Sequence, residues 1–113
     1  MNKYHNRKVT EDGYTFDSIA EYNRYRELKI MQNNGDIQSL VVHPSFLLQE
    51  PFDYNGKRIN AIRYEADFSY IENGAVVVED VKGVQTDVFR IKEKMFKKQI
   101  ANHLDMEFRL VQA

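Results

Sequence analysis

The sequence predicts a single domain of the α+β class, in which two helices cover a sheet. Three observations lead to this prediction: a helix-like segment with end signals at residues 18 to 34, two Asn-Gly pairs between apolar stretches, and an amphipathic segment at about residues 86 to 102. The predicted order of elements is α-β-β-β-α-β. The 113 residues, 42% hydrophobic and 29% charged, suit one globular domain with a modest core.

The first helix is predicted from the residues at its two ends. Ser18 and Glu21 have the spacing of a capping box, and Gly35 suits a left-handed C-terminal stop. Glu21 also falls on the same helical arc as Leu28 and Met31, which would face the core. Two interpretations of Glu21 therefore stay open, a helix cap and an acid of a functional site, and the two roles can coexist.

Both Asn-Gly pairs predict β-hairpins, because a type I′ turn needs positive φ at its two central residues. They lie at Asn55-Gly56 and Asn73-Gly74. We therefore expect an antiparallel three-stranded meander and a last strand from MEFRLVQ after the second helix. The predicted strands of the meander span residues 45 to 53, 58 to 71 and 75 to 82.

The register of the second hairpin predicts a cluster of charged side chains. With a two-residue turn, facing residues have numbers that sum to 147, so Asp67 faces Asp80. Lys82 shares their side of the sheet, whereas Glu79 and Val81 point to the other side. Opposed carboxylates at the edge of a core are costly unless compensated. A divalent cation would compensate both; alternatively, one acid is solvated, or Lys82 and an arginine neutralise the pair.

Positive charge is concentrated in two segments of a chain whose formal net charge is −1. This distribution suits a polyanionic partner or simply solvated surfaces. Lys92 falls on the apolar side of the second helix, beside Val88 and Met95, where it either snorkels or approaches a negative group. The basic side chains are Lys3, Arg7 and Lys8 near the N-terminus and Arg90, Lys94 and Lys97 on the outer side of the second helix.

The composition excludes several classes of site. The chain has no cysteine, so disulfides, thiolate zinc sites and thiol nucleophiles are excluded, and any metal must be held by oxygen or imidazole ligands. No apolar run approaches the roughly 20 residues that cross a bilayer, and MNKYHNRKVT lacks the apolar segment of a signal peptide. We therefore expect a cytoplasmic protein.

Four segments together resemble a known superfamily: FDSIAEYNRYRELK, VVHPSF, YEADF and VVVEDVKGVQTDVFRIKEKMF. They are similar to the PD-(D/E)XK, or restriction-endonuclease-like, nucleases. More closely, they resemble short phage and prophage proteins related to Holliday-junction resolvases and to transposon end-cleaving nucleases. The resemblance implies a central mixed sheet flanked by helices. It divides the chain into a basic arm at residues 1–13 and a nuclease-like domain at residues 14–113.

The resemblance also assigns roles to residues. Asp67 matches the aspartate of the motif, Asp80 its second acid and Lys82 its lysine. Glu21 matches a glutamate of the first helix, and His43 matches a position near the active site. One departure is that Ala66 stands where the motif has proline.

These matches imply a DNA endonuclease that uses Mg²⁺ or Mn²⁺, held by Asp67, Asp80, the Val81 carbonyl and Glu21. The basic side chains, including Lys92, would contact DNA phosphates. A four-way junction as substrate would predict a homodimer, because that DNA has two-fold symmetry. The alternatives are RNA cleavage on the same fold, or a non-catalytic phage adaptor that binds DNA or a protein.

Overall fold

The computed structural model describes residues 7–113 and shows an α+β fold, as predicted. Two helices accompany one mixed sheet and several two-stranded sheets. In chain order the elements are β1 (Val9–Glu11), β2 (Tyr14–Phe16), α1 (Ile19–Asn33), β3 (Gln38–Val42), β4 (Ser45–Gln49), β5 (Phe52–Tyr54), β6 (Lys57–Ile59), β7 (Ile62–Glu65), β8 (Phe68–Glu72), β9 (Ala75–Lys82), α2 (Asp87–Ile100) and β10 (Met106–Gln112).

The main sheet has four strands in the order β10-β9-β8-β3. β8 is antiparallel to both β3 and β9, whereas β10 is parallel to β9. β9 is therefore an interior strand, which explains its continuous apolar run, Val76 to Val78. Together with the helices, the main sheet follows the chain order α1, β3, β8, β9, α2, β10.

The strand pairing of the predicted meander is confirmed, but its first two strands are not continuous. Residues 45 to 53 form β4 and β5, which pair antiparallel with β7 and β6 outside the main sheet, where β3 lies beside β8 instead. Pro51 separates β4 from β5, because proline cannot donate to a ladder. The predicted strand at 58 to 71 is also interrupted, since the Ala66 amide donates to the Pro44 carbonyl (3.0 Å) between β7 and β8.

Both predicted Asn-Gly turns are confirmed. φ is 51° at Asn73 and 82° at Gly74, which places both residues in the left-handed region. The pairing of β8 with β9 runs from Glu72 opposite Ala75 to Phe68 opposite Glu79, so the predicted register holds over the whole of β8.

The main sheet separates two cores, because successive β9 side chains point to opposite sides. Val77 belongs to the core under α1 and Val78 to the core under α2. The α1 core contains Phe16, Tyr25, Leu28, Ile37, Phe68, Tyr70 and Val77, and the α2 core contains Tyr64, Ala66, Val78, Phe89 and Phe96.

The buried side of α2 differs from the prediction. Phe89 and Phe96 are buried, but Val88, which the helical wheel places on the apolar side, is 62% exposed. Val88 precedes Phe89 by one residue, and one helical residue is a rotation of 100°, which turns Val88 away from a core centred on Phe89. Ile91 is also 59% exposed, so one side of α2 is apolar and is left uncovered by residues 7–113.

At the N-terminal end of the described residues, β1 pairs with β2. This hairpin spans the boundary predicted at residue 13, and the division into an arm and a domain stays a prediction. Within residues 7–113, no helix is long and apolar enough to cross a membrane.

Replacing Gly74 with alanine should lower the free energy of unfolding by about 1 to 2 kcal/mol, because φ of 82° is unfavourable for a residue with a Cβ. Urea denaturation measures the change. Gly83→Ala is the control: an added Cβ there would meet Ala113 at an ordinary 3.6 Å and φ is not in the left-handed region, so we expect a change within about 0.5 kcal/mol. Equal losses in the two variants would contradict the turn assignment.

Candidate functional site

β9 carries two neighbouring acids to opposite sides of the main sheet. Glu79 and Asp80 are both 0% exposed. Glu79 faces α1, where it accepts hydrogen bonds from Arg24 (Nε to Oε1, 2.5 Å; Nη2 to Oε2, 3.0 Å) and from the Tyr70 hydroxyl (2.6 Å). Asp80 faces the opposite side, where its Oδ2 accepts a hydrogen bond from the Tyr64 hydroxyl. The predicted separation of the two acids is thus observed.

The second oxygen of Asp80 is poorly compensated. Among the described residues, Asp80 Oδ1 is the buried side-chain oxygen or nitrogen that lacks a hydrogen-bond partner. The Lys82 ammonium lies 3.5 Å from it and also 4.8 Å from the centre of the Phe89 ring. A buried carboxylate oxygen without a donor is costly and needs a physical explanation.

Asp67 lies just before β8 and departs from the predicted register. Its amide donates to the Glu79 carbonyl (3.2 Å), and the ladder between β8 and β9 ends with Phe68 opposite Glu79, so the two aspartates are not a ladder pair as predicted. The reason is that the Asp67 side chain turns to β9, where its Oδ2 accepts a hydrogen bond from the Val81 amide (2.7 Å). The two carboxyl groups are nevertheless neighbours.

The neighbouring Asp80 carboxyl affects the pKa of Asp67. Burial first, and then the adjacent Asp80 carboxyl, raise the pKa of Asp67 well above the ordinary range of an aspartate. The Val81 amide opposes this rise, and the negative charge of Glu21 adds to it. Asp67 is therefore held close to two other acids with only one hydrogen-bond donor of its own.

Glu21 is positioned by the start of α1. Its amide donates to the N-cap Ser18 hydroxyl (3.1 Å), and its Oε2 accepts from the Asp17 amide (3.3 Å), so the predicted cap is observed. Its Oε1 lies 2.8 Å from His43 Nε2, and Glu21 is only 5% exposed.

His43 links Glu21 to Asp67. The His43 amide donates to the Asp67 carbonyl (2.9 Å), while its ring contacts the Glu21 carboxyl. The backbone of His43 has φ of 56°, an unfavourable value for a residue with a side chain. The turn between β3 and β4 thus places the ring against α1, which sequence periodicity could not show.

These side chains meet at one opening, which we call the carboxylate cleft. It has a volume of about 760 Å³, and its lining includes Glu21, Asp67, Val81 and Lys82 together with the first turn of α1. Asp80, which is fully buried, is the neighbour of Asp67 and Lys82. The structure therefore brings together all four predicted catalytic residues, with His43 beside them.

The donors of the carboxylate cleft fit a hard divalent cation. Within residues 7–113, no three His, Asp or Glu side chains form a ready coordination group as they stand. The adjacent Asp67 and Asp80 carboxyls nevertheless supply oxygen ligands of the kind that Mg²⁺ and Mn²⁺ prefer, and Asp80 Oδ1 has an unused lone pair. Tyr64, which sequence analysis missed, holds the other oxygen of Asp80; its position three residues before Asp67 gave no signal of this long-range contact.

The predicted DNA-binding residues lie at several places. Lys3 is outside the described residues, and Arg7 and Lys8 are exposed. Lys92 is partly buried and lies beside Val88 and Met95, as its place on the helical wheel predicted. The exposed cations of α2, which we call the basic stripe, are Arg90, Lys94 and Lys97.

Residues 1–112 match a family described as "Protein of unknown function (DUF1064)". No curated protein matches the chain.

Removing the charge of Asp67 should stabilise the metal-free protein and flatten its pH dependence. The folded state binds the Asp67 proton more tightly than the unfolded state, whose pKa is about 4, so stability is lost as pH rises above that value. In EDTA we therefore expect Asp67→Asn to be more stable than the parent protein at pH 8 by at least about 1 kcal/mol, and less so at pH 5.

Urea denaturation at several pH values tests this expectation. Asp105→Asn, at an exposed position, is the control and should follow the parent profile. A parent protein whose stability rises steadily from pH 5 to pH 8 while Asp67→Asn matches it would contradict the raised pKa.

Proposed function

We propose that this chain, which belongs to the DUF1064 family, is a metal-dependent DNA endonuclease of the PD-(D/E)XK type. The observation that carries the proposal is Asp80 Oδ1, a buried carboxylate oxygen without a donor, beside a second, partly buried acid and a lysine. A site of that kind gains stability from a bound cation, and acid-x-lysine at the end of an interior strand is the pattern of these nucleases.

The arrangement of elements supports the proposal. The chain order α1, β3, β8, β9, α2, β10 is the α-β-β-β-α-β order that the resemblance implies. Asp67 stands at the start of β8, Asp80 and Lys82 end β9, and Glu21 lies in the first turn of α1. Each position agrees with the role inferred from sequence.

The proposed mechanism assigns a task to each side chain. Asp67 and Asp80 would hold Mg²⁺ or Mn²⁺, with the Val81 carbonyl and Glu21 as further ligands. When bound, the cation supplies positive charge at the scissile phosphate and acidifies a water. Water attacks phosphorus in line and the P–O3′ bond breaks, which by family resemblance leaves a 5′-phosphate and a 3′-hydroxyl.

Lys82 is suited to stabilising the charge that develops on the phosphate. Its ammonium is held between Asp80 Oδ1 (3.5 Å) and the Phe89 ring (4.8 Å), which restricts it to the carboxylate cleft. Its side chain is 28% exposed, so a phosphate oxygen can reach it from solvent. The His43 ring contacts the Glu21 carboxyl and holds it in place.

The proposed DNA contacts are inferred from the positions of the positively charged side chains. The basic stripe lies on the exposed side of α2, which begins five residues after Lys82. Such cations contact backbone phosphates without reading bases, so we propose selection by DNA structure rather than by sequence. A branched intermediate of phage recombination or replication, in the cytoplasm of a bacterial host, is the substrate that the resemblance favours.

Asp80→Asn should abolish cleavage while it preserves folding and DNA binding, because it removes a cation ligand at a fully buried position with little change in volume. The assay uses labelled four-way, flapped, nicked, duplex and single-stranded DNA with Mg²⁺, Mn²⁺ or EDTA. RNA of the same sequence tests RNA cleavage in parallel.

Asp87→Asn, at a 96% exposed carboxylate, is the matched control and should cut like the parent protein. Cleavage by Asp80→Asn at the parent rate would reject the site. DNA binding without cutting by the parent protein would favour the non-catalytic adaptor.

Replacing Arg90 and Lys94 together with alanine should weaken DNA binding and reduce the slope of log Kd against log salt by about 1 to 2, because each phosphate contact releases about one counterion. The control pair, Arg26→Ala with Lys29→Ala, removes the same charge on α1, outside the basic stripe, and should leave the slope nearly unchanged. Fluorescence anisotropy at several salt concentrations measures both. Equal slopes in the parent and the Arg90/Lys94 variant would reject α2 as the DNA face.

A further inference from the structure

A β-hairpin projects from the body of the protein. Every residue from 49 to 60, which includes β5 and β6, is exposed, and we call this segment the arm. The molecule measures 52 × 41 × 24 Å along its principal axes, an elongated shape for a chain of this size. An isolated two-stranded hairpin is at best marginally stable in water, so a surface that covers the arm would stabilise it.

The arm has one apolar side. Phe52 faces Ile59 and Tyr54 faces Lys57 across the two strands, so these four side chains share one face. Phe52, Tyr54 and Ile59 are 43%, 64% and 38% exposed. The opposite face carries the ion pair of Asp53 with Arg58 (3.1 Å).

A groove on the body has matching properties. It lies between α2 and β7, has a volume of about 390 Å³, and is lined by Ile62, Val88, Ile91, Met95 and Lys92. Val88 and Ile91 are 62% and 59% exposed, so the groove is apolar and open. Ile62 lies three residues after the end of β6, so the chain leads directly from the arm to the lining of the groove.

We propose that the occupant of this groove is the arm of a second copy of the same chain, so that two copies exchange arms in a two-fold dimer. Both surfaces are exposed in the single chain, so the arm does not cover its own groove. In the dimer, Phe52, Tyr54 and Ile59 of each copy lie against Val88 and Ile91 of the other.

Charge also favours a second copy over DNA. Among the described residues, Lys92 and Arg63 at the groove have no carboxylate within ion-pair distance. Glu50, at the base of the arm, likewise has no cation of the described residues within that distance. An incoming arm would supply an acid to these cations. The arm itself balances Glu50 and Asp53 against Lys57 and Arg58, which is not the composition of a phosphate-binding surface.

A stable dimer sets the area that the arm and the groove of each copy must bury together. A stable pair buries about 800 Å² per partner, which is about a tenth of the 7962 Å² accessible surface of this chain. Reciprocal exchange uses every arm and every groove, so each copy contributes both surfaces to the interface. The centre of the groove lies on a side of α2 different from the basic stripe, because Val88 and Met95 are about 100° or more from each cation of the stripe, whereas Ile91 borders the stripe about 60° from Lys94.

Sedimentation equilibrium in EDTA, without DNA, tests the proposal. We expect a dimer of twice the 13.4 kDa chain mass. Tyr54→Asp in the arm and Ile91→Asp in the groove should each weaken dimerisation by at least about thirtyfold, because each places a charge in a desolvated apolar contact. The controls are Asp53→Ala with Arg58→Ala on the opposite face of the arm, and Arg90→Asp on the side of α2 away from Val88; neither should change the dimer.

Mixing the two defective variants distinguishes arm exchange from nonspecific association of apolar surfaces. Tyr54→Asp retains an intact groove and Ile91→Asp retains an intact arm, so the mixture should form a heterodimer through one intact contact, more tightly than either variant pairs with itself. Circular dichroism confirms that both variants fold.

Three results would overturn the proposal: a parent protein that stays monomeric at the highest soluble concentration, a dimer that neither aspartate variant weakens, or no association in the mixture. If the variants instead reduce DNA affinity while the parent protein is monomeric, the arm contacts DNA and the proposal fails. None of these measurements uses metal or cleavage, so their outcome is independent of the proposed nuclease activity.

Discussion

Two adjacent buried carboxylates on β9 constrain the rest of the structure. Each must be compensated within the protein, because removing a carboxylate from water is costly. Glu79 meets this requirement through Arg24 and Tyr70. Burial and then Glu79 raise the pKa of Tyr70 to about 12, while the hydrogen bonds that Arg24 donates to Glu79 raise the pKa of Arg24 further above its usual range. This ion pair ties α1 to the interior strand, one helical turn after Glu21.

Asp80 is compensated less completely than Glu79. This difference distinguishes a structural carboxylate, Glu79, from a candidate functional one, Asp80. Glu79 accepts three hydrogen bonds, two of them from one guanidinium, so its charge is satisfied within the fold. Asp80 has one tyrosine hydroxyl on Oδ2 and a lysine at a longer distance from Oδ1. Its nearest acid, Asp67, has a raised pKa. Natural proteins break the rule of local satisfaction at functional sites, which is why the proposed cation site is placed at Asp80 and not at Glu79.

The sequence predicted those parts of the structure that depend on local chemistry. The cap of α1, both Asn-Gly turns, the register of β8 against β9 and the opposite directions of Glu79 and Asp80 all follow from spacing and alternation. The breaks in the predicted strands do not follow from spacing or alternation, because Pro51 and the Ala66 amide act through partners that a linear pattern does not show. Val88 was misassigned because a helical wheel gives the angle between side chains but not which arc faces the core.

Part of the site could not be predicted from the sequence, because it depends on contacts between segments that are distant along the chain. Tyr64, Arg24 and Tyr70 each complete the hydrogen bonds of a β9 acid from another element, and only the assembled fold shows which acid each one serves. Arg24 could be noticed as a cation on the apolar arc of α1, but its partner could not be identified.

α2 connects the proposed site with the proposed dimer, since its sides have three different environments. Phe89 and Phe96 pack under the sheet, Val88 and Ile91 line the groove, and Arg90 and Lys94 are exposed. A two-fold dimer through the groove would hold two basic stripes and two carboxylate clefts at one fixed spacing. Such a pair suits DNA with two symmetric scissile phosphates, such as a four-way junction, whereas a monomer suits a single cut at a nick or flap. The oligomeric state therefore discriminates between the substrate classes even before any cleavage is measured.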